Sequence, residues 1–296
     1  REAGGSGAGS GSKQNWANIG SCLLWSNRYG LFLDGGYARI SNSIVGMKSP
    51  NSFGLYALEN AAYELQSDYN NLYLGETGAY AAGRQTGAGA FAQTTTYASV
   101  STWATASGQD VHSLPHDPLL VDVAGEDYHL KSAGGRYKPG IGWTNDVGSS
   151  PLIDSGDPLS TAWTAEPNPN GRRQNIGLYG GTAEASKTPL AGWITLLSLN
   201  DGGTASGTFP LTWLVGGAAT NYTLCIDFSY DDGITWTNQL VCDWPAADCS
   251  WTWVSEPYGR TALGRWRATC VQDPEITATT LAPFVLRNGG PIPYYV

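Results

Sequence analysis

The chain has 296 residues, 41% of them hydrophobic and only 14% charged, with 39 glycines and 16 prolines. That composition disfavours a helical bundle and favours turn-rich β structure in one elongated domain or two modest ones. A formal charge of −9 and a pI near 4.7 argue against a nucleic-acid partner, which needs a basic stripe to release counterions, and no apolar run approaches the roughly 20 residues that span a bilayer.

The chain starts at Arg1 and its only methionine is Met47, so an exported, processed chain or a piece of a longer one is expected, located outside the cell or on its surface. Residues 1–14 form a Gly/Ser-rich arm of linker composition. Such an arm lies along its own domain or is gripped by a neighbouring subunit that accepts it as an added strand.

From Ser21 short apolar strands recur at Leu23-Leu24-Trp25, Leu31-Phe32-Leu33, Ala38-Arg39-Ile40, Ile44-Val45, Leu55-Tyr56-Ala57 and Leu72-Tyr73-Leu74. Equivalent strands return after about 20–28 residues, the period of a solenoid. Asn27, Asn42 and Asn70 stand beside strand ends, where stacked amides can satisfy successive turns. Residues 75–107 are small and polar and read as an excursion off the solenoid that ends near Trp103. Further strands are expected at Leu119-Leu120-Val121 and Tyr128-His129-Leu130, with apolar pieces at Leu152-Ile153 and Ile176-Gly177-Leu178.

The stretch from Ser149 to Ser186 contains S-P-x-I-D-x-G-D-P (Ser150 to Pro158) and E-P-x-P-N-G-x-R-x-N-x-G-x-Y-G-G-T-x-x-A-S (Glu166 to Ser186). Upstream lie W-x-x-x-x-G-x-D-x-H-S (Trp103 to Ser113), D-P-x-x-V and D-Y-H-L-x-S (Asp127 to Ser132). Together these resemble the terminal coils of secreted, mostly bacterial right-handed parallel β-helix proteins. The resemblance covers about residues 15–187 and implies a fold, not a reaction.

After Lys187-Thr188-Pro189 the pattern changes to about seven strands in roughly a hundred residues, the spacing of an immunoglobulin or fibronectin type III sandwich over 188–296. The strands expected are Trp193–Leu199, Phe209–Val215, Tyr222–Tyr230, Thr235–Cys242, Ser250–Glu256, Arg265–Val271 and Phe284–Arg287. Ser229 to Trp236 fits the Asp-box hairpin S-x-D-x-G-x-T-W, and with the closing Pro283 to Leu286 strand resembles Ig-like modules of bacterial surface proteins. There Asp231 or Asp232 would bond the turn amides while Trp236 packs across the hairpin. Four of the five cysteines lie in this part, which suits disulfides in an oxidising compartment. The pairs preferred are Cys242–Cys249 and Cys225–Cys270, although four cysteines allow three pairings. Cys22 is left over, as a buried thiol or an intermolecular bridge.

Candidates for chemistry are few. Asp110, His112, His116 and Asp117 form the one dense acid and histidine cluster. A catalytic reading makes His112 a base oriented by Asp110, whereas a structural reading has the same side chains tying a tight turn. Asp154 and Asp157 either cap a turn or contribute to calcium, which takes six to eight oxygens. Trp244, Trp251 and Trp253 are core or a sugar-stacking face, and Asn221 heads an N-x-T sequon. No motif implies a metal or cofactor. The first expectation is therefore an all-β, non-catalytic extracellular subunit that self-associates head to tail through the arm or the apolar tail PIPYYV, building a fibre or layer. The alternative is a carbohydrate-active or glycan-binding β-helix of polysaccharide lyase type with the sandwich as accessory.

Overall fold

The structure, a computed structural model, describes residues 16–58, 63–87, 89–189 and 191–288. The arm and the PIPYYV tail lie outside the described residues. The protein is mostly β.

Nine strands follow one another in triplets: β1 (Trp16–Gly20), β2 (Leu23–Trp25), β3 (Tyr29–Leu33), β4 (Gly36–Ser41), β5 (Ile44–Met47), β6 (Phe53–Leu58), β7 (Tyr63–Asp68), β8 (Asn71–Leu74) and β9 (Tyr80–Thr86). Each of the first six pairs in parallel with the strand three places on, which gives the runs β1-β4-β7, β2-β5-β8 and β3-β6-β9. Trp16 faces Tyr37, which faces Glu64; Tyr29 faces Phe53, which faces Tyr80. Side chains alternate in and out along each strand. Ala38 and Ile40 of β4 are therefore buried while Tyr37 and Arg39 point outward, and the inward set (Ile40, Val45, Met47, Leu55, Leu72) forms one core. Asn42 and Asn70 are buried. The Asn70 side-chain amide donates to the carbonyl of Ile40 and accepts from the amide of Ser43, the two residues flanking the β4–β5 bend. Asn27 is exposed and has no such place.

The expected excursion over residues 75–107 is only partly one. β9 is a full member of the third sheet, and β10 (Gln93–Tyr97) returns antiparallel on it. Its polar, small sequence hid a strand because Gly83 must be small: a Cβ there would meet the rings of Phe53 and Tyr56 at 2.8 Å. The helix α1 (Val100–Ser107) follows, capped by Ser99 in a reciprocal box with Thr102 and ended by Gly108 in the left-handed region. It buries Val100 and Trp103 against the same core. Among the described residues no helix is long and apolar enough to cross a membrane.

Beyond α1, Leu114 bridges Asn71 in parallel, and the chain continues through the short hairpins β11 (Leu120–Asp122) with β12 (Asp127–Leu130) and β13 (Arg136–Lys138) with β14 (Gly142–Thr144). Leu152, Ile153 and Ile176 are buried with Ile44, Leu114 and Leu130, but in turns rather than the expected strand pieces.

The last part comprises β15 (Trp193–Leu196), β16 (Thr204–Ala205), β17 (Thr208–Gly216), β18 (Thr223–Ser229), β19 (Asn238–Pro245), β20 (Ser250–Val254), β21 (Thr261–Cys270), β22 (Thr277–Thr279) and β23 (Phe284–Leu286). They form the sheets β15-β17-β20 and β16-β23-β21-β18-β19, with β22 beside β21. Trp213 and Trp253 of the first sheet share a core with Phe228, Trp266 and Phe284 of the second. Trp253 is 1% exposed. Trp251 and Trp244 pack partly buried against that core, and the Trp244 indole donates to the carbonyl of Ser250. Trp253 is therefore packing, while Trp244 and Trp251 keep part of their surface open. Asn221 is exposed at the end of a short helical turn. In the Ser229–Trp236 hairpin it is Asp231 that closes the turn. It accepts from the Thr235 amide and hydroxyl and from Ser229, and these bonds hold its carboxyl down at about 2. Asp232 pairs with Arg265 instead.

The expected disulfides Cys225–Cys270 and Cys242–Cys249 are not formed. Cys225 is bonded to Cys242, while Cys22, Cys249 and Cys270 are free. The reason is strand geometry. Leu224, not Cys225, lies opposite Cys270, so the two thiols point to opposite faces, and Cys270 turns into the core. Irregular register between β18 and β19 around Ile226 lets Cys225 reach Cys242.

Candidate functional site

Stacked layers bring residues far apart in sequence to one bend. Ser21, Asn42 and Tyr69 all take left-handed backbone there, with φ of 49°, 51° and 55°. The Asn42 amide donates to the Tyr69 carbonyl. The Asn71–Leu114 bridge then sets residues 110–113 over residues 67–70.

Asp110 points inward. Its carboxylate accepts from Ser67 Oγ (2.8 Å), Ser113 Oγ (2.6 Å), Trp103 Nε1 (2.9 Å) and Asn70 Nδ2 (3.4 Å). Burial pushes this carboxyl up and the four donors pull it back. Asp110 therefore fastens the bend and does not orient His112.

The residue that does so is Asp68, which sequence reasoning missed. His112 Nδ1 lies 2.7 Å from Asp68 Oδ2, and the His112 amide donates to Asp68 Oδ1 at 2.7 Å. The imidazole stacks on Tyr69, with centroids 4.7 Å apart and planes 4° from parallel. The His112 side chain is 44% exposed, and its Nε2 has no hydrogen-bond partner among the described residues. Asp68 carried no local signal, because its neighbourhood with His112 depends on a layer offset that the residues between them conceal.

Arg173 completes the cluster, its guanidinium 5.8 Å from the Tyr69 ring centroid. Its Nε donates to the Gly156 carbonyl at 2.6 Å. The strap over 154–177 that carries it is bound to the same bend. The Asp157 amide donates to Asn42 Oδ1 (2.7 Å), the Gly177 amide to the Asn42 carbonyl (2.9 Å) and Gln174 Nε2 to Ser21 Oγ (2.7 Å). Burial pushes the Tyr69 phenol up, with Asp68 adding to it and Arg173 opposing, so Tyr69 keeps its proton.

The rest of the polar signature is framework. Glu166 Oε1 accepts from the amides of Asn175 and Gly181, Asn175 Nδ2 donates to the Ser186 carbonyl, and Ser186 Oγ donates to the Leu130 carbonyl. Asp117 accepts from Tyr73 and the Leu119 amide on the β8 side, away from His112. His116 is held neutral, pushed down to about 4 by burial. Asp157 caps a turn through the Leu159 amide, while Asp154 is buried with its carboxyl against Gly171. Among the described residues no group of three or more His, Cys, Asp or Glu is placed to hold a metal ion.

The arrangement is a histidine with one nitrogen fixed by a carboxylate and the other free, stacked on a phenol whose ring a guanidinium also approaches. It can take a proton from a bound molecule and face an anionic group. Comparison with curated proteins and with solved structures gives no match. A family model described as "Disaggregatase related" matches residues 92–156, under a quarter of the chain; that stretch contains His112 but neither Asp68 nor Arg173.

Proposed function

We propose that the protein is a carbohydrate-active solenoid acting on an acidic polysaccharide, secreted to where such polymers lie. In this reading the three parallel sheets and the segments after them are the terminal coils of a right-handed parallel β-helix, and residues 188–296 are an Ig-like accessory module. The observation that carries it is the Asp68–His112 pair, half exposed and stacked on the Tyr69 ring that Arg173 also approaches. Asp68 fixes the proton on Nδ1 and leaves Nε2 as a base. On a uronate polymer, Nε2 would take the proton from C5 while Arg173 faces the carboxylate. The C5 electron pair forms the C4–C5 double bond, the C4–O glycosidic bond breaks, and the leaving oxygen takes a proton from solvent. The family description "Disaggregatase related", matched over the stretch that holds His112, is compatible with this reading.

The test is release of unsaturated uronate products from a panel of acidic polysaccharides. Wild type should release them, and His112→Ala should lose on the order of 10²–10⁴-fold in rate with an unchanged melting temperature. If wild type opens none of them, or His112→Ala equals wild type, the proposal fails.

A second reading, a non-catalytic subunit of a head-to-tail fibre or layer, is favoured by one observation. Among the described residues β1, β2 and β3 each pair on one side only, and a strand edge without a partner invites pairing with another chain. Light scattering and negative-stain microscopy of the chain with and without residues 1–12 test it: polymers that need the arm would support it, and a concentration-independent monomer would end it.

A further inference from the structure

We infer that the outward face of the β1-β4-β7 sheet is a binding platform for an acidic oligosaccharide, leading to the Asp68–His112 pair; its direction toward that pair rests on the function proposed above, its capacity to bind does not. Register places the outward residues in three rows: Trp16, Tyr37 and Glu64; Asn18, Arg39 and Gln66; Gly20, Ser41 and Asp68. The first row offers rings. Trp16 and Tyr37 lie 5.4 Å apart, tilted by 52°, and both are only partly buried.

The second row offers a fixed cation. Arg39 is exposed, and its Nε and Nη2 both donate to Gln66 Oε1, at 3.0 and 2.6 Å. Gln66 is turned that way by Glu64, which accepts from its Nε2 at 3.4 Å. The guanidinium also lies 5.7 Å from the Trp16 ring centroid. Arg39 has no carboxylate partner among the described residues, in a chain whose net charge is −9. An exposed guanidinium held in one orientation by a neutral amide is prepared for an oxyanion from outside. The third row ends at Asp68, whose partner His112 extends the face into the next layer.

The first and third rows are four residues apart along the strands, about 13 Å at ~3.3 Å per residue, the reach of a short oligosaccharide. Rings cover the apolar faces of sugars, Arg39 takes a carboxylate, and Glu64 accepts hydroxyl hydrogens. An anionic ligand with hydroxyls and C–H faces satisfies the first two rows and ends beside the third, whereas an acidic peptide leaves the rings unused.

Calorimetric titration of the full chain with an oligogalacturonate, with an uncharged malto-oligosaccharide of equal length and with oligoglutamate tests this. The oligogalacturonate should bind best; Arg39→Gln and Tyr37→Ala should each weaken it at least tenfold with unchanged melting temperature. Arg39→Lys should fall between. Binding without turnover in wild type would support the platform while removing the proposed reaction. No binding of the oligogalacturonate, equal binding of oligoglutamate, or undiminished affinity in both Arg39→Gln and Tyr37→Ala would overturn it.

Discussion

Asp154 and Glu166 show how much a single position can decide. Both carboxyls are buried, and burial pushes each up to about 7, with Thr188 and Arg173 opposing at Asp154 and the amides of Asn175 and Gly181 opposing at Glu166. A folded pKa above the unfolded value means that the folded state binds the proton more tightly. The associated stability is full below about pH 4 and is lost as pH rises through about 7. The loss is on the order of a few kcal/mol and is shared, because the two charges interact. The melting temperature should therefore fall between pH 5 and pH 9, and Asp154→Asn should flatten that fall and melt higher than wild type at pH 9. A wild-type profile flat over this range would contradict the burial argument. Asp110 is the opposite case, a buried acceptor with four donors. Asp110→Asn sets an NH₂ against hydroxyl, amide or indole donors and should cost about 1–3 kcal/mol in chemical denaturation. If Asp110 oriented His112 it would abolish turnover; as a fastener of the bend it should lower stability more than rate.

At the scale of elements, α1 is the piece that closes the first core, and Trp103 is its anchor. The ring is 3% exposed, stacks edge-on with Tyr97 and donates to Asp110. Trp103→Ala should cost about 3–5 kcal/mol, the range for large-to-small changes in a packed core. Trp103→Phe keeps most of the volume and loses the donor, so it should cost less; equal costs would mean that the hydrogen bond outweighs packing. The Cys225–Cys242 bond joins β18 to β19 across a separation of 17 residues. In the chain-entropy account such a loop contributes about 3 kcal/mol. Reduction should therefore lower the melting of the last part of the chain, and Cys249→Ser should not reproduce the effect. Insensitivity to reductant would show the link to be energetically idle.

Across the whole molecule, the two parts are joined by more than the peptide at residue 188. Asp201 accepts from the amides of Val100 (2.8 Å) and Ser101 (3.1 Å) at the start of α1, and from the Ser101 hydroxyl. An anion at a helix N-terminus is favourable by about 0.3–1 kcal/mol on dipole grounds alone. The Thr188 amide is tied to the Pro169 carbonyl and the Lys187 amide to the Gly135 carbonyl, so the expected break is a fastened junction. Asp201→Ala should separate thermal unfolding into two transitions by calorimetry; a single unchanged transition would show that the remaining contacts suffice.

What was legible in the sequence follows from locality. The strand pieces from Leu23 to Leu74, the turns between them and the Asp231 hairpin were readable because alternation and turn chemistry act over a few residues. The buried Asn42 and Asn70 were readable from their place at strand ends. The sequence by itself thus determined an all-β chain, the period of its first strands and the residue types at its bends. Only the tertiary structure decided which carboxylate meets His112, which thiol meets Cys225 and which aromatics face outward. Each of those depends on the offset between stacked layers or the register between strands, and a shift of one residue in either turns a side chain to the opposite face. Asp110 is nearer to His112 in sequence than Asp68, yet it faces the core, and the outward neighbour one layer away holds the imidazole.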